Sequence, residues 1–369
     1  MIKAKQVQTY LITCDVGGTS SRFALFDLKK KIIISLTKVQ TKTTKEFLND
    51  LSTFIEEQRR QGREVSTCVL SVAAPVLNRE KVSLTNASLT LDKAKLKEKL
   101  KLQEVHFLND FEALAYAAAD IDLKVSQKEG FIQEIKKAKF PIKQDQEIRA
   151  VIGVGTGLGA SFAVKNKEGS LLVLPSEGGH SPPFFVDELS PFLRALTEHN
   201  KGLIDLELLC SGKGLPLIAR TLAGSPKAFE AVKLFFNSSL KQTKKSLSKK
   251  EEVKLLEQEN FSASTLFSLS KQSDIAHYTL ELLNLFFAKA CQNLALMSIP
   301  YSGIFITGGV IQKNPNLLEK ALFKKYFLET PRKNMRNLLD KIPLYLLKDE
   351  DIVHKGCAKF FETKYEKTI

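Results

Sequence analysis

Tyr10 to Arg22 reads YLITCDVGGTSSR, an apolar run that stops at Asp15 and turns through Val16, Gly17, Gly18 and Thr19. A Rossmann or P-loop fingerprint needs a helix directly after its glycines. Here Arg22 to Leu28 reads as a second strand and Ile32 to Leu36 as a third, close enough to be joined as hairpins. What remains is a tight β-turn whose bare glycines let backbone N–H groups approach an anion. Thr19 adds a hydroxyl donor, Asp15 can hold a magnesium ion through water, and Arg22 lies near enough to assist. A plain hairpin, where Gly-Gly is common, is the competing reading.

Outward from this turn, short apolar runs alternate with helical periodicity. Thr43 to Glu46 is a capping-box pattern, and Phe47, Leu48, Leu51, Phe54 and Ile55 recur at helical spacing. Thr67 to Val72 and Val105 to Leu108 read as buried strands. The pattern starts over about 140 residues after the first turn. Arg149 to Val154 is a strand that runs into Gly155-Thr156-Gly157-Leu158-Gly159, and Ser161 to Val164 and Leu171 to Leu174 follow as strands. Glycines in that number cost stability unless they are used. A long helix near His277 to Ala295 precedes the strand Gly303 to Thr307, which runs into Gly308-Gly309, ahead of a helix start at Asn314-Pro315. Three glycine turns at strand ends match the layout of an actin-like ATPase clamp. The first two grip phosphates and the third lies against the adenosine. The expected fold is α/β, a two-domain actin-like ATPase (ribonuclease H-like) fold with a central cleft. Residues 1–109 form the smaller domain, joined by a C-terminal helix within about 350–369, and 110–349 form the larger.

Length and composition are consistent with this. A chain of 369 residues exceeds one ordinary core. Its 43% hydrophobic and 26% charged residues are ordinary for a globular protein. The five cysteines Cys14, Cys68, Cys210, Cys291 and Cys357 are scattered, with no C-x-x-C pair, which argues against a disulfide framework or zinc site and fits a reducing cytosol. Met1 to Tyr10 holds no apolar signal region, and Glu281, Asn284, Lys289 and Gln292 interrupt the apolar stretch His277 to Ile299. The protein is therefore expected in the cytoplasm, with no membrane partner. The net charge of +14 is not gathered into a nucleic-acid reader motif, so no nucleic-acid partner is expected. Much of it falls in Lys241 to Lys254, KQTKKSLSKKEEVK, which reads as a solvated surface insert. A diffuse positive potential also attracts an anionic nucleotide.

Leu108-Asn109-Asp110-Phe111 ends one strand and opens the helix Glu112 to Ala119. A carboxylate there lies at the mouth of the expected cleft, and Asn109 can orient a substrate hydroxyl. Asp110 is otherwise a plain helix N-cap, a role Asp often fills. Pro175-Ser176-Glu177-Gly178-Gly179-His180 forms a compact hydrogen-bonding loop suited to vicinal hydroxyls. His180 there can also be structural or a metal ligand. No cysteine follows it before Cys210, which leaves a His/Cys zinc site little support.

Taken together, the motifs resemble the bacterial glucokinase family of the hexokinase/actin-like ATPase superfamily. The resemblance spans nearly the whole chain. In order it runs through DVGGTSSR at Asp15 to Arg22, SVAAPV at Ser71 to Val76, LTNASL at Leu84 to Leu89 and LNDFEALA at Leu108 to Ala115. GVGTGLGASF at Gly153 to Phe162, SEGGH at Ser176 to His180, ELLCSGKGL at Glu207 to Leu215 and GIFITGGV at Gly303 to Val310 complete it. It implies Asp110 as the base, Asn109 as a sugar ligand, and Glu177, His180 and Glu207 as contacts to sugar hydroxyls. The nucleotide would lie on Asp15, Val16, Gly17, Gly18, Thr19, Gly155, Thr156, Gly157, Gly308 and Gly309. Ser176, Glu112 and Lys213 depart from the usual glycine, small polar residue and proline, and Glu112 stands close enough to Asp110 to perturb it. Residues from Asn237 to Asn260 look like an insertion. The ROK kinases and repressors are less similar, since their cysteine-rich zinc motif is missing here.

The implied reaction is ATP-dependent phosphorylation of glucose at the 6-hydroxyl, feeding glycolysis, with ATP and magnesium as cofactors. Phosphoryl transfer asks the protein mainly to position groups and neutralise charge, and a weak carboxylate base suffices where the proton moves late. Water competes as a nucleophile, so closure of the two domains around the sugar is expected to gate the step. A kinase of another hexose or amino sugar, and a catalytically weak sugar sensor of the same fold, are the competing readings. A homodimer is compatible with the resemblance.

Overall fold

The computed structural model describes residues 9–40, 43–84, 88–139, 145–237, 247–258 and 260–366. Asn86 of the LTNASL motif and residues 238–246 and 259 of the insertion lie outside them. The chain packs as two compact units. One comprises Met1–Leu123, Ser161–Pro175 and Asp349–Ile369, and the other Lys124–Ala160 and Ser176–Lys348.

The first sheet contains β1 (Tyr10–Val16), β2 (Ser20–Asp27), β3 (Ile32–Gln40), β4 (Thr67–Val72) and, after the hairpin of β5 (Lys81–Leu84) and β6 (Leu89–Asp92), β7 (Glu104–Asn109). Its order is β3-β2-β1-β4-β7, with β2 antiparallel to both its neighbours and β1, β4 and β7 parallel. All six residues of β4 are buried, as a central parallel strand covered on both faces requires. β3 runs four residues past the apolar stretch, to Gln40, because its register with β2 continues to Ser20. As an edge strand it leaves Ile32, Ile34 and Leu36 exposed.

β8 (Ile132–Lys136), β9 (Glu147–Val154), β10 (Leu158–Lys165), β11 (Leu171–Ser176), β12 (Ile304–Thr307) and β13 (Leu344–Leu347) form a sheet of order β11-β10-β9-β12-β13-β8. Apart from the added edge strand β8, this is the strand order of the first sheet. The repeat legible in the glycine turns is thus a repeat of topology.

The Thr44–Arg60 helix starts where the capping pattern predicts, with the Thr43 side chain accepting from the Glu46 N–H. Phe47, Leu51, Phe54 and Ile55 are buried, and Phe47 meets Phe23 of β2 edge to face at 5.4 Å. Each such side chain contributes about 1.5–3 kcal/mol by leaving water. The long helix spans Asp274–Ser298. Its polar interruptions all find partners on the segment that follows β12. Glu281 pairs with Lys320, Asn284 donates to the Leu317 carbonyl at 3.0 Å, and Gln292 donates to the Phe327 carbonyl at 2.7 Å. Lys289 donates to the Glu329 carbonyl at 2.7 Å. No helix among the described residues is long and apolar enough to cross a membrane.

Part of the basic stretch differs from a plain solvated insert. Lys249–Leu256 is a helix that buries Glu252 and Leu256, and Arg220 donates to the Leu256 carbonyl at 2.9 Å. The C-terminal helix Ile352–Glu366 packs against the helix Asp110–Asp120. Gly356 allows this contact, since a Cβ there would lie 1.8 Å from the Ala113 carbonyl oxygen.

Candidate active site

The register of the first sheet aligns Val16, Val72 and Asn109 in one row. The glycine turn after β1 and the carboxylate after β7 therefore leave the same end of the sheet, two strand spacings or about 10 Å apart. This is the carboxyl end of the parallel strands, where open α/β sheets bind their ligands. The turn closes through a bond from the Gly17 N–H to the Ser20 carbonyl at 3.1 Å. Beside it, Arg22 donates twice to Asp15 Oδ2, from Nη2 at 2.8 Å and Nε at 3.1 Å, and reaches Asp351 Oδ1 at 3.4 Å. Asp15 Oδ1 has no partner among the described residues.

The helix after β7 begins at Asp110, two residues earlier than its apolar pattern suggests. Asn109, not Asp110, is its N-cap. Asn109 Oδ1 accepts from the Phe111 and Glu112 N–H groups, and its Nδ2 donates to the Ala74 carbonyl at 3.2 Å. Glu112 completes a capping box by accepting the Asn109 N–H at 2.9 Å, and its other oxygen takes Arg79 at 3.3 Å. Both oxygens of the residue that departs from the family pattern are thus engaged away from Asp110. Asp110 occupies the first helical position, half-buried, at the positive end of an 11-residue helix that favours a negative charge. The Phe111 N–H reaches its Oδ1 at 3.1 Å.

The second unit holds the other residues singled out from the sequence. Gly155, Thr156 and Gly157 join β9 to β10, closed by a Gly155 N–H to Gly157 carbonyl bond of 2.9 Å. Thr307 of β12 is in register with Gly153 of β9, which sets the Gly308-Gly309 turn beside them; Gly308 has φ +97°. Glu207 reaches the same place. Its Oε2 accepts the Leu158 N–H at 3.0 Å, and a Cβ on Gly157 would come within 2.3 Å of that oxygen. A further bond runs from the Gly212 N–H to the Gly155 carbonyl at 2.9 Å.

Glu177 leads into a single 3-10 turn, Gly178–His180. Ser176 Oγ accepts the Gly178 N–H at 3.0 Å, which gives that departure from the usual glycine a structural use. Lys213 has φ −75°, the value a proline would fix, so the backbone there keeps its course. His180 Nδ1 lies 2.9 Å from Asp205 Oδ2. Asp205 Oδ1 in turn caps the short helix that carries Glu207, accepting the Leu208 N–H at 2.8 Å. The Asp205 bond, with the charges of Glu207 and Glu177 behind it, holds His180 above the usual imidazole range against partial desolvation. Asp205 was not legible as a site residue, although an Asp three residues ahead of a backbone N–H in DLEL is an N-cap signal.

Comparison with known proteins points to one family. The sequence model of the glucokinase family matches residues 12–364. A glucokinase of Nostoc punctiforme is 25% identical over 354 residues, covering 95% of this chain and 98% of its own. The crystal structure of a Balamuthia mandrillaris glucokinase in complex with glucose superposes with a TM-score of 0.70 at 21% identity, over 95% of this chain and 93% of that one. A ROK family glucokinase of Streptomyces griseus, in complex with glucose and AMPPNP, shares the fold at a TM-score of 0.56 and 18% identity, over 95% and 98% of the two chains.

Proposed function

Since the chain belongs to the glucokinase family, we propose that it transfers the γ-phosphoryl group of ATP to the 6-hydroxyl of glucose with Asp110 as the base. The observation that carries this reading is the identity of the helix cap. Asn109 and Glu112 form the capping box, so the cap role falls to Asn109 and Asp110 stands at the first helical position. Asp110 then accepts the proton of the primary hydroxyl as the phosphoryl group arrives. Asn109 has spent its carbonyl on the cap and one amide hydrogen on Ala74, so its remaining amide hydrogen is what it offers a sugar oxygen. Glu177 and Glu207 accept from sugar hydroxyls, with His180 beside them.

The backbone N–H groups of Gly18 and Thr19 and of Thr156 and Gly157, which do not close their turns, hold the β- and γ-phosphates, and Gly308-Gly309 lies against the adenosine. Magnesium fits this set of donors. It favours one or two carboxylates with water and phosphate oxygens, and Asp15 Oδ1 is the oxygen that Arg22 leaves unused. Bound there through water, the ion would neutralise phosphate charge.

The test is Asp110→Asn. Turnover should fall about 10²- to 10⁴-fold, with glucose affinity by calorimetry within a few-fold of the parent. Near-normal turnover removes Asp110 from the role. A coupled ADP-release assay across a sugar panel reads whether glucose is preferred over other hexoses and amino sugars.

A further inference from the structure

Glu177 and Glu207 are carboxylates, which only accept hydrogen bonds when ionised. A hydroxyl that gives its proton to one of them still has lone pairs to satisfy, and that requires a donor. His180 stands among these acids. Its Nδ1 faces Asp205 at 2.9 Å, with Glu177 in the entering loop and Glu207 on the short helix that Asp205 caps. These three are the titratable groups that raise its proton affinity, and among the described residues no cation is recorded as opposing them. We propose that Asp205 is a positioning residue that engages the His180 Nδ1–H and favours the doubly protonated ring, so that Nε2–H becomes the donor to a sugar hydroxyl. The proposal rests on the reading of His180 as a sugar ligand. Nothing in the family motifs marks this position, because SEGGH and ELLCSGKGL stop short of it on either side.

Asp205 has two jobs that can be separated. Oδ1 caps the helix and Oδ2 holds the histidine. Serine is as good an N-cap as aspartate, so Asp205→Ser keeps the first job and loses the second. Asp205→Asn keeps the cap through its one oxygen, but removes the charge and sets a donor NH₂ where Oδ2 accepted. In the parent protein, kcat/KM for glucose should fall as pH rises through the His180 pKa, tenfold per pH unit once well above it. In both variants this limb should move to lower pH by about 0.5, as loss of a partly exposed charge pair implies, so that activity measured on the limb drops about threefold. Titration of the His180 ring nitrogens by NMR should move in the same direction, with loss of the fixed Nδ1–H form in the serine variant.

His180 titrating alike in the parent and both variants, or a kcat/KM limb that stays in place, overturns the proposal. His180→Gln separates it from the reading beneath it. If that variant has a parental glucose KM, His180 is no sugar ligand and both fall. If its KM rises while the Asp205 variants match the parent, only the role of Asp205 falls.

Discussion

Gly157 lies where the turn proposed to hold phosphate meets Glu207, the carboxylate proposed to hold the sugar. Glu207 Oε2 holds the Leu158 N–H and occupies the space in which a side chain on Gly157 would start. Gly157→Ala should therefore displace the carboxylate. A hydrogen bond to a charged group is worth about 1.5–3 kcal/mol, so glucose affinity by calorimetry should fall about 10- to 100-fold. In a Glu207→Ala background the same substitution should cost little, and equal losses in both backgrounds would show that the two do not interact. At this scale the sequence was legible where a residue type is rare in its context, as with four glycines in seven positions or Asp after a strand. It was silent where the informative fact is a pairing. Glu112 looked like a threat to Asp110 until Arg79 and the Asn109 N–H were seen to occupy it. Asp205 carries only a cap signal in the sequence, and its pairing with His180 exists only in the fold.

The helix that opens with Asp110 is placed by another helix. Ala113, Ala115, Ala117, Ala118 and Ala119 give it a surface of small residues, and Gly356 of the C-terminal helix comes within a methyl group's width of the Ala113 carbonyl. Overpacking of this kind costs about 1–3 kcal/mol. Gly356→Ala should lower the unfolding free energy by that amount, read as a lower denaturation midpoint, and should lower turnover in the folded fraction, because Asp110 rides on the helix that must shift. An unchanged midpoint would mean that the helices part without cost. The alanines were visible as a helical run, but the glycine that matches them lies more than two hundred positions away and carries no periodic signal. Element ends were misjudged for a related reason. The strand after Ile32 continues because β2 offers it hydrogen bonds, and the helix after Asn109 starts early because a capping box fixes its first turn.

Across the whole molecule, the alternation of strands, glycine turns and helices was enough to read a repeated α/β plan, since buried parallel strands and turn glycines leave strong marks. The edge strand β8 and the hairpin of β5 and β6 left no such marks. One buried group links overall stability to acidity. His354 is fully buried, with Nδ1 2.8 Å from the Thr13 hydroxyl, and burial pushes it down to about 4, well below the usual imidazole value of about 6.5. Between these two values the unfolded chain binds the extra proton and the native one does not, so stability falls as pH drops from 6.5 towards 4. His354→Gln should flatten that slope in denaturation measured at pH 7, 6 and 5, whatever its effect at pH 7; an unaltered slope would point to other groups. The helix that carries His354 and Gly356 belongs to the same unit as β1, although more than three hundred residues of chain separate them. On the ribosome, then, the early sheet must wait with its helix-binding face uncovered until those late residues emerge.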